Sequence, residues 1–326
     1  MKITMAHGSG GKTSAELMSQ IFGKHFKNPI LDKMEDAAVL EVSGRIAYST
    51  DSFVVTPLIF RGGDIGKLCI CGTVNDLLMM GAEPQYIACG FILEEGLEVE
   101  TLDKIAASMA RQAAEAGVQI VAGDTKVVEG AGGLYINTSG IGMIPEGRNI
   151  SAGNCKPGDK IILSGNLGDH HACILSARMD IENHIKSDCG CLKDITDALF
   201  DAGIQVKAMR DVTRGGLGTV LNEIAGSSHC KVQLQETAIP VDEEVKGFAD
   251  ILGLDPLYMG NEGKMIAIVE GGDADRALAL MKQTEHGKNA AIIGSVEAGA
   301  GTFITTRLGG GRVLDMLYGE GLPRIC

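Results

Sequence analysis

At 326 residues the chain is long enough for two domains with their own cores, and 45% hydrophobic against 22% charged residues is the balance of an ordinary globular protein. A formal charge of −13 argues against a nucleic-acid surface, which needs clustered Lys and Arg. No apolar run approaches a membrane span and Met1 to Ala6 is no signal peptide, so no membrane partner is expected and the cytoplasm is the expected compartment.

The chain opens on a short apolar stretch followed by His7-Gly8-Ser9-Gly10-Gly11-Lys12-Thr13. Leu17, Met18, Ile21 and Phe22 then recur at helical spacing, so a glycine loop opens a helix. Ala6 to Thr13 mimics a P-loop, but a P-loop follows a buried central strand and only five residues precede this one. A glycine-rich segment that closes over a ligand fits better. Beyond Asp36-Ala37-Ala38, a strand is predicted over 46–50, running into Asp51. A helix over 64–80 carries Asn75-Asp76 near its end. Then come a strand over 86–93, an alanine-rich helix over 98–116 stopped by Gly117, a strand over 118–122 ending in Gly123-Asp124-Thr125-Lys126, and a strand over 134–144.

Residues 145–159, rich in Gly, Pro and Asn, read as an interdomain linker. The second half starts with a strand over 160–163, then Leu167-Gly168-Asp169-His170-His171 at a helix start. A second glycine loop, Arg210 to Gly218, precedes a helix through Ala225. Gly260-Asn261-Glu262-Gly263-Lys264 leads into a strand over 265–269, followed by a helix over 273–282 and strands over 291–296 and 302–306. The expected class is α/β (α+β) in two domains, 1–150 and 151–314, with a flexible tail over 315–326.

Nine cysteines, an odd number, show no disulfide framework. Cys69 and Cys71 read as small core hydrophobes; Cys189 and Cys191, near His184, leave a metal or disulfide open. Asp36, Asp51, Asp76 and Asp124 share one setting, at or beside the ends of apolar elements. Magnesium takes oxygen ligands and needs only one or two carboxylates beside phosphate and water, so carboxylates from separate elements suit Mg²⁺ on a triphosphate. Taken singly, each is more often a turn or cap residue; it is four of them in one domain beside a Gly-Ser-Gly-Gly loop that bring the metal reading level with it. Glu262, with Gly260 and Gly263 giving the backbone room near a ligand, is a candidate general base or the turn of a strand entry. His170 is a candidate acid or base, or part of a capped surface helix.

The motifs His7 to Gly11, Ser49 to Ser52, Cys71 to Asp76, Gly90 to Gly96, Gly123 to Lys126, Leu167 to His170, Arg210 to Gly216, Asn261 to Lys264 and the terminal Pro323-Arg324-Ile325-Cys326 resemble, in this order and across the whole chain, the HypE family of hydrogenase maturation proteins. That family lies within the PurM-like superfamily, beside aminoimidazole ribonucleotide synthetase and thiamine-phosphate kinase. The resemblance implies a homodimer formed through the N-terminal domain, with ATP between the domains and across the dimer. It implies that a HypF-type partner carbamoylates Cys326, that ATP-dependent dehydration turns this thiocarboxamide into a thiocyanate, and that a HypC–HypD complex receives the cyano group for the iron of [NiFe]-hydrogenase. Carried over motif by motif, Gly8, Ser9, Gly10, Gly11, Asn75, Gly123, Thr125 and Asp211 would bind ATP. Asp76 and Asp124, with Asp36 and Asp51 in support, would bind ATP and Mg²⁺; Glu262 would be the base, Lys126 would orient the phosphoryl oxygen or share the proton transfer, and His170 would be the third candidate. Lys12 and the Cys189/Cys191 pair stand outside that pattern. A twelve-residue tail at about 3.3 Å per residue reaches about 40 Å, enough to visit a site and also a partner. The alternative is another PurM-like ATP enzyme with a small diffusible substrate, indifferent to loss of Cys326. A non-catalytic scaffold would show no ATP turnover.

Overall fold

The structure, a computed structural model, describes residues 1–8, 11–33 and 37–316. The chain divides into two compact units, Met1–Leu77 with Ala82–Glu146, and Leu78–Gly81 with the chain from Gly147.

In the first unit a short helix α1 (Gly11–Leu17) continues as a π-helical turn, Met18–Gly23. Strand β1 (Arg45–Phe53) is followed by a two-residue hairpin, β2 (Ile59–Phe60) and β3 (Gly63–Asp64), and by helix α2 (Ile65–Met79). Strand β4 (Glu83–Glu94), helix α3 (Val99–Ala116), β5 (Gln119–Val128) and β6 (Leu134–Ile144) complete it. The sheet runs β1-β6-β4-β5, antiparallel except for the β4–β5 pair that α3 connects. Helix α2 is mostly apolar because, apart from the partly buried Lys67 and Asp76, it is buried all round. It lies so close to the sheet that a Cβ on Gly72 would be 2.8 Å from the Phe53 ring, and one on Gly140 2.7 Å from Thr73. Helix α3 stops at Gly117, whose φ of 75° a side chain would resist.

Side chains alternate across a sheet. The helix-covered face of this one takes Ala47 and Phe53, Ile136 and Thr138, and Ile87, Cys89 and Phe91, all buried. Among the described residues no helix covers the other face, which carries Tyr48, Thr50, Ser52, Asn137, Ile92, Asp124 and Lys126.

Two expectations change here. Asp51 lies within β1, opposite Thr138, and Gly123 to Lys126 lies within β5, opposite Cys89 to Ile92. The polar residues that seemed to end the strands continue them, because Asp124 and Lys126 occupy the uncovered face.

The second unit comprises β7 (Lys160–Leu163), α4 (Asp169–Arg178), α5 (Lys193–Asp201), β8 (Val206–Asp211), α6 (Gly216–Ser228), β9 (Lys231–Gln235), α7 (Glu243–Leu252), β10 (Met265–Val269), α8 (Ala274–Met281), β11 (Ala291–Glu297), β12 (Gly301–Thr305) and β13 (Gly311–Val313). Its sheet runs β13-β12-β9-β11-β7-β10-β8, with only β12–β9 parallel. Leu217, Leu221 and Ile224 of α6 share a core with Ile161, Val232, Ile266, Ile268 and Ile304. All of β10 is buried, so both of its faces are covered. No expected element covers helices α5 and α7 or strand β9, although both helices carry an amphipathic pattern. His170 and His171 begin a helix as expected, but a buried one, at 0% and 2% exposure rather than on a surface.

No helix of the described residues is long and apolar enough to cross a membrane. The eight described cysteines are free and buried, which closes the disulfide reading of Cys189 and Cys191.

Candidate functional site

In the first unit the candidate residues lie in two places: on β1 and the C-terminal half of α2 at one edge of the sheet, and on β5 at the other. The Ser49 hydroxyl donates to Asp76 Oδ2 at 2.5 Å. Asp51, two residues along the same face of β1, accepts the Ser52 amide at 2.9 Å. Asn75, one residue before Asp76, is buried. Asp51 and Asp76 therefore belong to the helix-covered side of the sheet. Asp124 and Lys126 belong to the uncovered side, where Lys126 Nζ lies 3.0 Å from Asp124 Oδ2 and both side chains are about two-thirds exposed (67% and 70%). The hydrogen bond from Lys126 is the main reason the Asp124 carboxyl sits below the usual carboxylate range.

The start of the glycine loop lies against β5. A Cβ on Gly8 would be 2.7 Å from Val127 Cβ, and Thr125 Oγ1 donates to Met18 Sδ at 3.8 Å. A Cβ on Gly123 would be 2.8 Å from the Cys89 carbonyl oxygen, so glycine there permits the close β4–β5 pairing. Gly11 begins α1. Ser9, Gly10, Asp36 and Cys326 lie outside the described residues.

Among the described residues no three His, Cys, Asp or Glu side chains come together as a metal cluster. An ion carried on a triphosphate needs only one or two carboxylates from the protein. The all-oxygen set of Asp51, Asp76 and Asp124 fits Mg²⁺ on those terms, in two places on opposite sides of one sheet.

In the second unit four loops meet. Asn261, fully buried, accepts from the Gly168 amide at 2.7 Å and donates to the carbonyls of Val212 (2.9 Å) and Met259 (3.1 Å). One carboxamide thus ties the loop before α4, the end of β8 and its own segment together. The Val212 amide donates to the Lys264 carbonyl at 2.8 Å, and Asp211 closes β8 opposite Met265. Glycine opens α6 because the Leu257–Tyr258 backbone passes there: Gly216 has a φ of +63°, and its Cβ would lie 2.6 Å from Tyr258 Cα.

Glu262, 5% exposed, is held by a segment that sequence reasoning passed over. Asp188 accepts from the amides of Glu262 (3.2 Å) and Gly263 (3.0 Å), and its carboxylate is 3.3 Å from Lys264 Nζ. The Gly190 amide donates to the Glu262 carbonyl at 3.2 Å. A Cβ on Gly263 would collide with the Asp188 carbonyl oxygen, so this position must be glycine. Burial opposes the charge on Asp188, but the Lys264 ammonium, His170 and the Glu262 amide together hold its carboxyl below the ordinary range.

His170 shares a hydrogen bond of 2.8 Å between Nδ1 and Ser187 Oγ. His171 Nδ1 accepts the Gly260 amide at 3.3 Å; burial, with His170 and Arg178 nearby, lowers its pKa to about 4, so it is neutral near pH 7. Asp169 is the counterpart: burial and the charge of Asp188 raise its pKa to about 7. Asp169 stands inside the Leu167 to His170 motif without having been singled out. Asp188 precedes Cys189 in a stretch with no hydrophobic period, and the cysteines draw attention away from it.

Models of the AIR synthase related proteins match both halves of the chain, the N-terminal domain over residues 34–144 and the C-terminal domain over residues 156–307. These define the class. Within it, the chain is 47% identical over 335 residues to the carbamoyl dehydratase HypE of Rhodobacter capsulatus, covering 100% of this chain and 98% of that protein. A crystal structure of hydrogenase maturation protein HypE in complex with ATP superposes with a TM-score of 0.95 at 47% identity, covering 99% of each chain. A HypE–HypF complex structure superposes at 0.81 and 46%, covering 92% of this chain and 99% of that one. The chain belongs to the HypE family.

Proposed function

We propose that this protein is an ATP-dependent carbamoyl dehydratase of hydrogenase maturation whose substrate is its own S-carbamoylated Cys326. The observation that carries this reading is the full-length likeness, at 47% identity, to a HypE structure that holds ATP. The likeness to a HypE–HypF complex supports a HypF-type carbamoyltransferase as donor. The terminal Pro323 to Cys326 supports the tail as acceptor. The cyano group would then pass to a HypC–HypD complex as the cyanide ligand of the hydrogenase iron.

The chemistry suits the residues. A carboxamide oxygen is a poor leaving group until it is phosphorylated. The oxygen takes the γ-phosphoryl group and ADP departs; the C–O bond then breaks with its electron pair staying on phosphate. Both N–H protons are lost, and their electron pairs complete the carbon–nitrogen triple bond. Phosphoryl transfer is mostly positioning and charge neutralisation. That work falls to the first unit: amides of Gly8 to Gly11 and Gly123 to Thr125, Asn75, and Lys126 on a phosphoryl oxygen, with Asp211 of the second unit in support. Mg²⁺, when bound, would neutralise triphosphate charge from Asp51, Asp76 and Asp124, with Asp36 added. Proton removal falls to Glu262, with His170 the weaker candidate because its Nδ1 is already engaged.

Asp76 and Asp124 face opposite sides of one sheet, and the uncovered side bears exposed Tyr48 and Ile92. A second copy packed on that side would bury these exposed apolar side chains, which supports a homodimer through the first unit.

Cys326→Ser separates this reading from a diffusible-substrate enzyme. ATP turnover in the presence of carbamoyl phosphate and a HypF-type partner is expected in the wild type and absent in the variant. Equal turnover by both would favour the small-molecule enzyme.

A further inference from the structure

We infer that Asp188 is the positioning residue for Glu262, setting where the carboxylate that removes the amide protons is held. The inference rests on the reading of Glu262 as the base. It stands on geometry that no motif contains. The Asp188 side chain is 2% exposed, and one carboxylate takes the amides on both sides of the Glu262 carbonyl, while its charge is matched by Lys264 at 3.3 Å. The Gly190 amide takes the carbonyl between them. Three hydrogen bonds from Asp188–Gly190 thus fix the backbone of Glu262 from one side. From the other, Asn261 fixes it through Gly168, Val212 and Met259. The backbone itself is closely packed as well: Gly263 is pressed against the Asp188 carbonyl and Gly190 against the His286 ring, with a Cβ on Gly190 reaching 2.5 Å from Nε2. A base that must meet two successive N–H protons needs a backbone that does not shift, and displacement by about 1 Å costs about 100-fold in rate.

Asp188 touches none of the reacting atoms, so its effect must pass through Glu262. The test is a double-mutant cycle of Asp188→Asn and Glu262→Gln, reading thiocyanate formed on the C-terminal peptide in single turnovers. Asp188→Asn alone is expected to lower kcat about 100-fold with KM for ATP changed by less than about twofold. Added to Glu262→Gln it is expected to lower the rate no further. A full additional loss in the double variant, or a wild-type kcat for Asp188→Asn, overturns the positioning role while leaving Glu262 as base. A wild-type rate for Glu262→Gln overturns the base reading itself and the positioning role with it. If Asp188→Asn does not fold, Asp188→Asn/Lys264→Met removes both charges together and enters the cycle in its place, with the same outcomes.

Discussion

Glu262→Gln is expected to lower conversion of carbamoylated Cys326 to the thiocyanate by about 10²–10⁴-fold, the range of a positioned general base, with ATP affinity changed by less than about twofold. The substitution is nearly isosteric, and every interaction described for this residue's backbone survives it. The amide still donates to Asp188 and the carbonyl still accepts from Gly190. Only the negative charge and the capacity to take a proton are lost. Single-turnover measurement on protein carbamoylated beforehand separates this step from the partner's reaction. A variant that forms thiocyanate at the wild-type rate would falsify the assignment of Glu262 and move attention to His170.

Lys126→Ala is expected to leave thermal stability nearly unchanged and still remove most of the activity. Its ion pair with Asp124 joins two exposed side chains, and such surface pairs are worth about 0–1 kcal/mol. A cation aimed at a developing phosphoryl charge is worth far more to a transition state, by analogy with an oxyanion donor about 10²–10³ in kcat. The placement of Lys126 on the uncovered side of the sheet, with Asp76 on the covered side, adds a sharper expectation. If one copy's Lys126 serves a site containing the other copy's Asp76, equal mixing of Lys126→Ala and Asp76→Asn proteins restores activity. Half of the randomly formed dimers are mixed and each has one intact site, so roughly a quarter of the wild-type rate returns. Subunit exchange, followed by light-scattering mass, confirms that mixing has occurred. No recovery after full exchange would place Lys126 and Asp76 in sites built from a single chain.

Much of the framework was legible from residues alone. Helix α2 shows in the sequence as a largely apolar run, and Gly117 marks the end of α3, where the structure finds it left-handed. Strand β6 was bounded as found. Strands β1 and β5 run past Asp51, Asp124 and Lys126, polar residues that look like strand ends; Asp124 and Lys126 face the open side of the sheet, and Asp51 lies on the α2 side beside Ser49 and Asp76. The histidines at α4 looked wet because three polar residues in a row suggest solvent, whereas tertiary packing buries them. Asp188 gave no local signal: its hydrogen-bond partners lie 74 and 75 residues further along the chain, a pairing that only the fold creates. The role of Cys326 came from likeness of motif order; no periodicity or spacing points to a terminal thiol as a substrate.

That thiol gives the most direct test. The protein, incubated with ATP, Mg²⁺, carbamoyl phosphate and a HypF-type partner, is followed by intact mass and by mass of its C-terminal peptide. The expected course is replacement of one hydrogen by CONH₂ and then loss of one water, both on Cys326 and the second only with ATP. A C-terminal peptide that never gains the carbamoyl group, or gains it and never loses water while ATP is consumed, would contradict the account.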